Sequence, residues 1–248
     1  MLSSDAKRLV VGLQPVREAI RIHKDRLNSV LVESRQTPRL EAVVRFAGDQ
    51  GVVNIQRVSA RELDRISGGV QHQGVIAFAP PLALVGLDTL VQDRNLIAVA
   101  LDEIQDPQNF GAVVRSAVGI AGAAVIWGEH ASAPLSPAMF RTSAGAIEQA
   151  RLCRVRSLRD ALRQLGEAGV QVIGLDAHAP IALHNLRLTG PLVLVVGSEH
   201  SGINRGIRAT CQSFARLLSN GSLDSLNASV AAGIALHTVL VYRDITNS

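Results

Sequence analysis

Hydrophobic positions along the chain fall into short apolar runs that alternate with stretches of helical period. In the first 80 residues, β-like runs at Val30-Leu31-Val32, Val52-Val53-Asn54-Ile55 and Gly74-Val75-Ile76-Ala77-Phe78 alternate with helical patterns over 15–23, 38–48 and 59–66. That order predicts a compact α/β module. The run Ala79-Pro80-Pro81-Leu82-Ala83-Leu84 breaks every period, because two prolines remove backbone donors and favour extended chain. A linker over 81–94 follows from it. From residue 95 the pattern is again strand then helix, with apolar strands over 96–101, 123–127, 170–175 and 192–196 and helices from Phe110, from Pro137, over 158–168 and from Ser225. Strands that are apolar throughout predict a parallel sheet covered on both faces. The chain thus reads as two α/β domains, 1–80 and 95–248, and ligands are expected beyond the carboxyl ends of the strands in the second.

Three segments at or beside such ends carry the chemistry. The loop 217–227 runs straight into a small-residue apolar helix, and Ser225, Asn227 and Ser229 suit its first turn, where backbone N–H groups lack partners. Asp106-Pro107-Gln108-Asn109-Phe110-Gly111-Ala112-Val113-Val114-Arg115 follows one apolar strand, and Gly197-Ser198-Glu199-His200-Ser201-Gly202 follows another. The latter is not GxGxxG and lacks the early βαβ setting of a dinucleotide site.

In this order and spacing, the three segments resemble the motifs of the SpoU (TrmH) branch of the SPOUT RNA methyltransferases. Upstream, Val10-Val11-Gly12-Leu13-Gln14-Pro15-Val16-Arg17-Glu18-Ala19 and Gln71-His72-Gln73-Gly74-Val75 resemble the substrate-binding domain of RlmB-like 23S rRNA guanosine 2′-O-methyltransferases. The resemblance implies an L30e-like RNA-binding domain and a SPOUT α/β-knot catalytic domain. In the latter the C-terminal segment threads a trefoil knot, an exception to the un-knotted rule. It also implies S-adenosyl-L-methionine as cofactor, structured RNA as substrate and a homodimer formed through the catalytic domains.

Carried residue by residue, the resemblance makes Arg115, Asn109, Glu199, Ser225 and Asn227 catalytic. Gly197, Leu217 and Leu226 become the cofactor-binding positions. Methylating a ribose 2′-hydroxyl is a displacement in which positioning dominates, and the attacking oxygen becomes partly anionic. A guanidinium yields its proton only at very high pH, so Arg115 is assigned to polarising the hydroxyl and stabilising the alkoxide, with the proton acceptor left open. Asn109, after Pro107 and before the apolar helix, is read as an N-cap whose amide also orients Arg115 or the ribose. The sequence departs from the family at Leu218-Ser219, where Pro-Met is usual, which relaxes the loop expected around the adenine.

Composition adds limits. The 248 residues are 47% hydrophobic, enough for buried cores. No uninterrupted apolar stretch has the length of a membrane span and the N-terminus lacks a secretory core, so a cytoplasmic protein without a membrane partner is expected. Cys153 and Cys211 cannot make a zinc site on their own, and no metal is expected. Residues 1–80 hold 12 Lys plus Arg against 8 Asp plus Glu, whereas 81–248 hold 13 of each, so the net charge of +4 lies wholly upstream. A basic module beside a neutral one suits an RNA grip attached to a small-molecule site. The expected target is a guanosine in 23S rRNA. A tRNA ribose methyltransferase and a non-catalytic RNA-binding or ribosome-assembly paralogue stay open as alternatives.

Overall fold

The computed structural model describes residues 7–130, 132, 135–199, 201–219 and 226–247. Two compact units are present, Met1–Ala83 with Leu135–Gln149, and Leu84–Pro134 with Ala150–Ser248.

The first unit contains β1 (Arg8–Val11), α1 (Leu13–His23), β2 (Ser29–Glu33), α2 (Pro38–Asp49), β3 (Ile55–Val58), α3 (Ala60–Ser67) and β4 (Val75–Ala79). The sheet order is β1-β4-β2-β3, with β4 antiparallel to both neighbours and β2 parallel to β3. Side chains alternate across it as strand geometry requires. Val10, Val30, Val32, Val75 and Ala77 pack with Val16, Ile20, Leu40 and Val43 of α1 and α2, while Val11, Leu31 and Ile76 pack with Leu63 of α3. Helices α2 and α3 start where the sequence provides caps, Thr37 accepting from the Leu40 N–H and Ser59 from the Glu62 N–H.

A later stretch of chain joins this unit. It carries α6 (Pro137–Thr142) and a 3₁₀ turn, Ala146–Gln149, and its Glu148 is wholly buried against Arg8 and His23. The expectation of a second domain running unbroken over 95–248 therefore meets a segment that packs with the first unit.

The second unit contains α4 (Leu87–Val91), β5 (Ile97–Leu101), α5 (Pro107–Ser116), β6 (Ala124–Gly128), β7 (Leu152–Val155), α7 (Leu158–Glu167), β8 (Gln171–Leu175), β9 (Leu192–Val196), α8 (Arg205–Arg208), β10 (Ser213–Ala215) and α9 (Ala228–Asn247). Its six strands run in the order β10-β8-β9-β5-β6-β7, all parallel. One sheet face buries Ala98, Ala100, Ile126, Val193 and Val195 under Leu90, Leu162, Leu165 and Ile207 from α4, α7 and α8. Toward α5, Phe110 meets Trp127 edge to face with ring centroids 5.3 Å apart. The linker expected over 81–94 is not free chain, since α4 lies inside it and Leu90 is fully buried.

Helix α9 departs from expectation in two ways. It begins at Ala228 rather than Ser225, which lies outside the described residues. Over Ala228–Thr246 it is also as long and apolar as a membrane span, with a mean hydropathy of 1.2. Its inner face, however, belongs to this unit: Ala232, Ala235, Leu236 and Val239 are fully buried, and Gly233 faces Ser116 at the end of α5.

Candidate active site

In the parallel sheet β5 and β9 are central neighbours, so the loops leaving their carboxyl ends emerge side by side. Asp102 continues the pairing past β5 by donating its N–H to Val196, and its buried carboxylate accepts the Asn204 N–H at 2.6 Å. Burial raises the Asp102 pKa, with Glu103 nearby pushing the same way and the Asn204 hydrogen bond opposing both. The β9 loop is closed by reciprocal Ser198 and Gly202 backbone hydrogen bonds of 3.1 and 2.9 Å. Gly197 allows that closure. A Cβ there would stand 2.2 Å from the Gly202 carbonyl carbon, which no side chain tolerates.

Three predicted residues meet beyond these strand ends. Asn109 Nδ2 donates to Glu199 Oε1 at 2.9 Å, and Asn227 Nδ2 donates to Asn109 Oδ1 at 2.9 Å and to Glu199 Oε1 at 2.5 Å. The Ala228 N–H points at the same carboxylate oxygen from 3.4 Å. Glu199 Oε2 has no partner among the described residues. Asn227 is also the cap of α9, its Oδ1 accepting from the Ser229 N–H, the Ser229 hydroxyl and the Val230 N–H. Segments 90 and 118 residues apart are thereby tied into one triangle of an amide, an amide and a carboxylate.

Asn109 does not cap α5. Asp106 does, accepting the Gln108 and Asn109 N–H groups, with Pro107 at the first helical position. An aspartate directly before a proline and a helical pattern is the stronger cap signal, and it was there to be read. Among the described residues Asn109 makes no hydrogen bond to Arg115, which stands six residues on, about 9 Å further along the helix. Arg115 is exposed in the last turn of α5 and makes no hydrogen bond or ion pair among the described residues.

Of the three expected cofactor positions, Gly197 and Leu226 adjoin the triangle through Ser198 and Asn227, whereas Leu217 lies two residues past β10, which β8 separates from β9. Leu217 and Leu226 are half-buried and Leu218 is exposed. The loop between them, 220–225, lies outside the described residues. Among the described residues no group of His, Cys, Asp and Glu is placed to hold a metal ion. Burial pushes the Cys153 and Cys211 thiols up to about 11, away from thiolate chemistry.

Comparison with known proteins matches residues 96–237 to the SpoU rRNA Methylase family. The chain belongs to that family. Residues 9–85 match a second model, RNA 2′-O ribose methyltransferase substrate binding. A relative named uncharacterized tRNA/rRNA methyltransferase, from Mycolicibacterium smegmatis, is 37% identical over 97% of this chain and 78% of its own length. The SpoU methyltransferase AviRb from Streptomyces viridochromogenes shares the fold with a TM-score of 0.78 at 23% identity, covering 97% of this chain and 91% of that one. AviRb has also been solved in complex with AdoMet. The A. aeolicus TrmH/SpoU tRNA modifying enzyme matches only 65% of this chain and 84% of its own, with a TM-score of 0.54 at 23% identity. The substrate-binding match thus falls almost wholly in the first unit, and the methylase match takes in the parallel-sheet unit with the triangle together with the segment 135–149.

Proposed function

We propose that this RNA methyltransferase carries a methyl group from S-adenosylmethionine to the 2′-hydroxyl of a guanosine ribose in 23S rRNA, in the cytoplasm. The observation that carries the reading is the Asn109–Glu199–Asn227 triangle, because it gathers the polar residues of all three methylase segments at one corner of the sheet. The chemistry of the residues fits the cofactor, since half-buried Leu217 and Leu226 with their peptide groups suit an aromatic base, and the triangle beside Leu226 suits the polar end. S-adenosylmethionine supplies an activated methyl on a sulfonium.

The chain supplies position and charge. Among the described residues the triangle leaves two groups unused, Glu199 Oε2 as an acceptor and the second Asn109 Nδ2 hydrogen as a donor, and these are available to an incoming polar group. Arg115, which has no hydrogen bond or ion pair among the described residues, stabilises the developing alkoxide, an interaction stronger in the transition state than before it. The presence of a distinct substrate-binding unit favours rRNA over tRNA, because the structural match to the tRNA-modifying enzyme covers only part of this chain. The departure at Leu218-Ser219 is the one feature that favours an inert paralogue.

Calorimetric titration with S-adenosylmethionine, together with methyl incorporation into 23S rRNA from a strain lacking the gene, tests the reading. Saturable heat and ribose methylation are expected. Arg115→Ala should keep the heat and lose methyl transfer by about 10²–10³-fold, the scale of a deleted oxyanion donor. Full activity in that variant removes Arg115 from the mechanism, and absence of cofactor heat in the native protein favours the inert paralogue.

A further inference from the structure

We propose that a cleft in the first unit, beside the Gln73 loop, receives one unpaired guanine of the RNA substrate. The proposal rests on the RNA methyltransferase reading and adds to it a base-reading pocket remote in sequence from the methylase motifs.

The cleft has a volume of about 270 Å³. That is just below the ~300–1,000 Å³ range of ligand pockets, a size for a single base rather than a duplex. Leu13 and Leu40 provide apolar surface for a ring face, Glu33 and Gln73 provide the polar groups, and Arg35 and Arg39 stand beside it. The Thr37 hydroxyl accepts the Leu40 N–H as the cap of α2 and keeps its own O–H as a donor.

The orientation of Gln73 is decided by its own hydrogen bond. The Leu13 backbone N–H can only donate, so the Gln73 atom 2.9 Å from it is the amide oxygen, and Nε2 is left as a donor without a partner among the described residues. The Glu33 carboxylate likewise makes no hydrogen bond there. Gly74 allows the two to share the cleft. Its φ is +85°, and a Cβ would come within 3.0 Å of both Leu40 methyls and 3.2 Å of Glu33 Oε2. Gln73 itself is held at φ +55°, a rare conformation for a non-glycine residue. His72 locks the loop, Nδ1 accepting the Gly74 N–H at 2.9 Å and Nε2 facing Asp64 at 3.1 Å.

The free groups are therefore a carboxylate, which accepts twice, and the Gln73 amide N–H and Thr37 hydroxyl, which donate. Guanine's Watson–Crick edge presents two adjacent donors, N1–H and the exocyclic amine, followed by the O6 acceptor, and so complements both. Adenine and cytosine each offer one donor group and would set a ring-nitrogen lone pair against the carboxylate, while uracil offers a single donor between two acceptors. Recognition on this edge requires an unpaired base, as in RNA loops and bulges. Arg35 and Arg39, which make no hydrogen bond or ion pair among the described residues, are suited to the flanking phosphates.

Fluorescence anisotropy with the full-length chain tests this, using fluorescein-labelled hairpin RNAs that differ only in one bulged nucleotide: G, A, C, U or inosine. The G bulge should bind about tenfold more tightly than A, C or U, one well-made bidentate contact's worth of discrimination. Inosine, which lacks the exocyclic amine, should fall between. Glu33→Gln should erase the preference by weakening the G bulge alone, and Arg35→Ala with Arg39→Ala should weaken every bulge and lower the salt slope by about 1–2. Equal affinity for all bulges, no measurable binding of any, or a preference that survives Glu33→Gln overturns the proposal. Should Glu33→Gln fail to fold, the guanine–inosine comparison on the native chain still decides. Cofactor heat is read separately on the same protein, so loss of that heat with the base preference intact would count against methyl transfer and not against the pocket.

Discussion

At the scale of single residues, Asn227 holds two positions at once, and a substitution can separate them. Its oxygen caps α9 while its nitrogen donates to Asn109 and Glu199. Asn227→Ser keeps a capping oxygen and loses the amide donors. Melting should change little, because exchanges among good caps are small against the ~0.5–2 kcal/mol cost of removing one, while methyl transfer falls about 10²-fold. Thermal unfolding beside single-turnover methylation checks it; equal loss of stability and rate would reduce Asn227 to a helix cap. Asn227 was singled out as one of three polar residues suited to the first turn of a helix expected from Ser225, and the structure makes it the cap of a helix that starts at Ala228. Asn109 was singled out through its motif, but its assignment as a cap ignored Asp106-Pro107, and its actual partners lie 90 and 118 residues away, where no local pattern reaches. The buried Asp102, which fixes the Asn204 end of the β9 loop, passed unnoticed for the same reason: its sequence neighbourhood is only the end of an apolar strand.

At the scale of elements, alternating apolar runs and helical periods place most strands and helices, because parallel strands buried on both faces are apolar throughout. The short pieces escape. β10 has three residues at an edge of the sheet, and β1 was read as part of a motif rather than as a strand. The segment 135–149 was legible as a helix but not by its destination, which depends on the ion pairing of Glu148. Its carboxylate, with no side-chain exposure, accepts from Arg8 Nη1 and from His23 at 2.8 Å each, while Arg8 lies over the Phe140 ring at 4.9 Å. Burial alone would raise the Glu148 pKa, but the hydrogen bonds from His23 and Arg8 outweigh it and leave it lowered. A carboxylate depressed on folding contributes stability above its unfolded value, about 4.3, and loses it as pH falls through the lower native value. Glu148→Ala, which leaves Arg8 buried without its partner, should cost about 3–5 kcal/mol at pH 7. The deficit relative to the native protein should shrink as pH drops below about 4.3. Urea unfolding at pH 7 and pH 4 measures both, and a deficit independent of pH would deny the ion pairing its role.

At the scale of the whole molecule, the two α/β units and the parallel character of the second follow from the sequence, whereas the return of 135–149 to the first unit does not, since Met139, Phe140 and Ile147 would suit any core. Self-association was expected through the small residues of α9, and there the structure supplies a different reason. Ala232 and Ala235 are fully buried within their own unit, and Gly233 faces Ser116. The face left open carries Val230, Ile234, Val241 and Ile245, exposed by 48, 42, 40 and 69%. Successive spacings of four, seven and four residues place them in one stripe along the helix, the geometry of a helix seam. Isologous pairing of such a stripe with its copy would bury apolar surface on both chains about a two-fold axis, and a unit with equal numbers of acidic and basic residues does not oppose it by charge. The expected assembly is a homodimer through α9, with Ile234→Glu splitting it by leaving a charge in the seam while the inner face of the helix stays packed. Light scattering across micromolar concentrations checks this against the chain mass of 26.3 kDa: a doubled mass that Ile234→Glu returns to the single-chain value supports the seam. The single-chain mass throughout, or a doubled mass indifferent to the substitution, places self-association elsewhere or removes it.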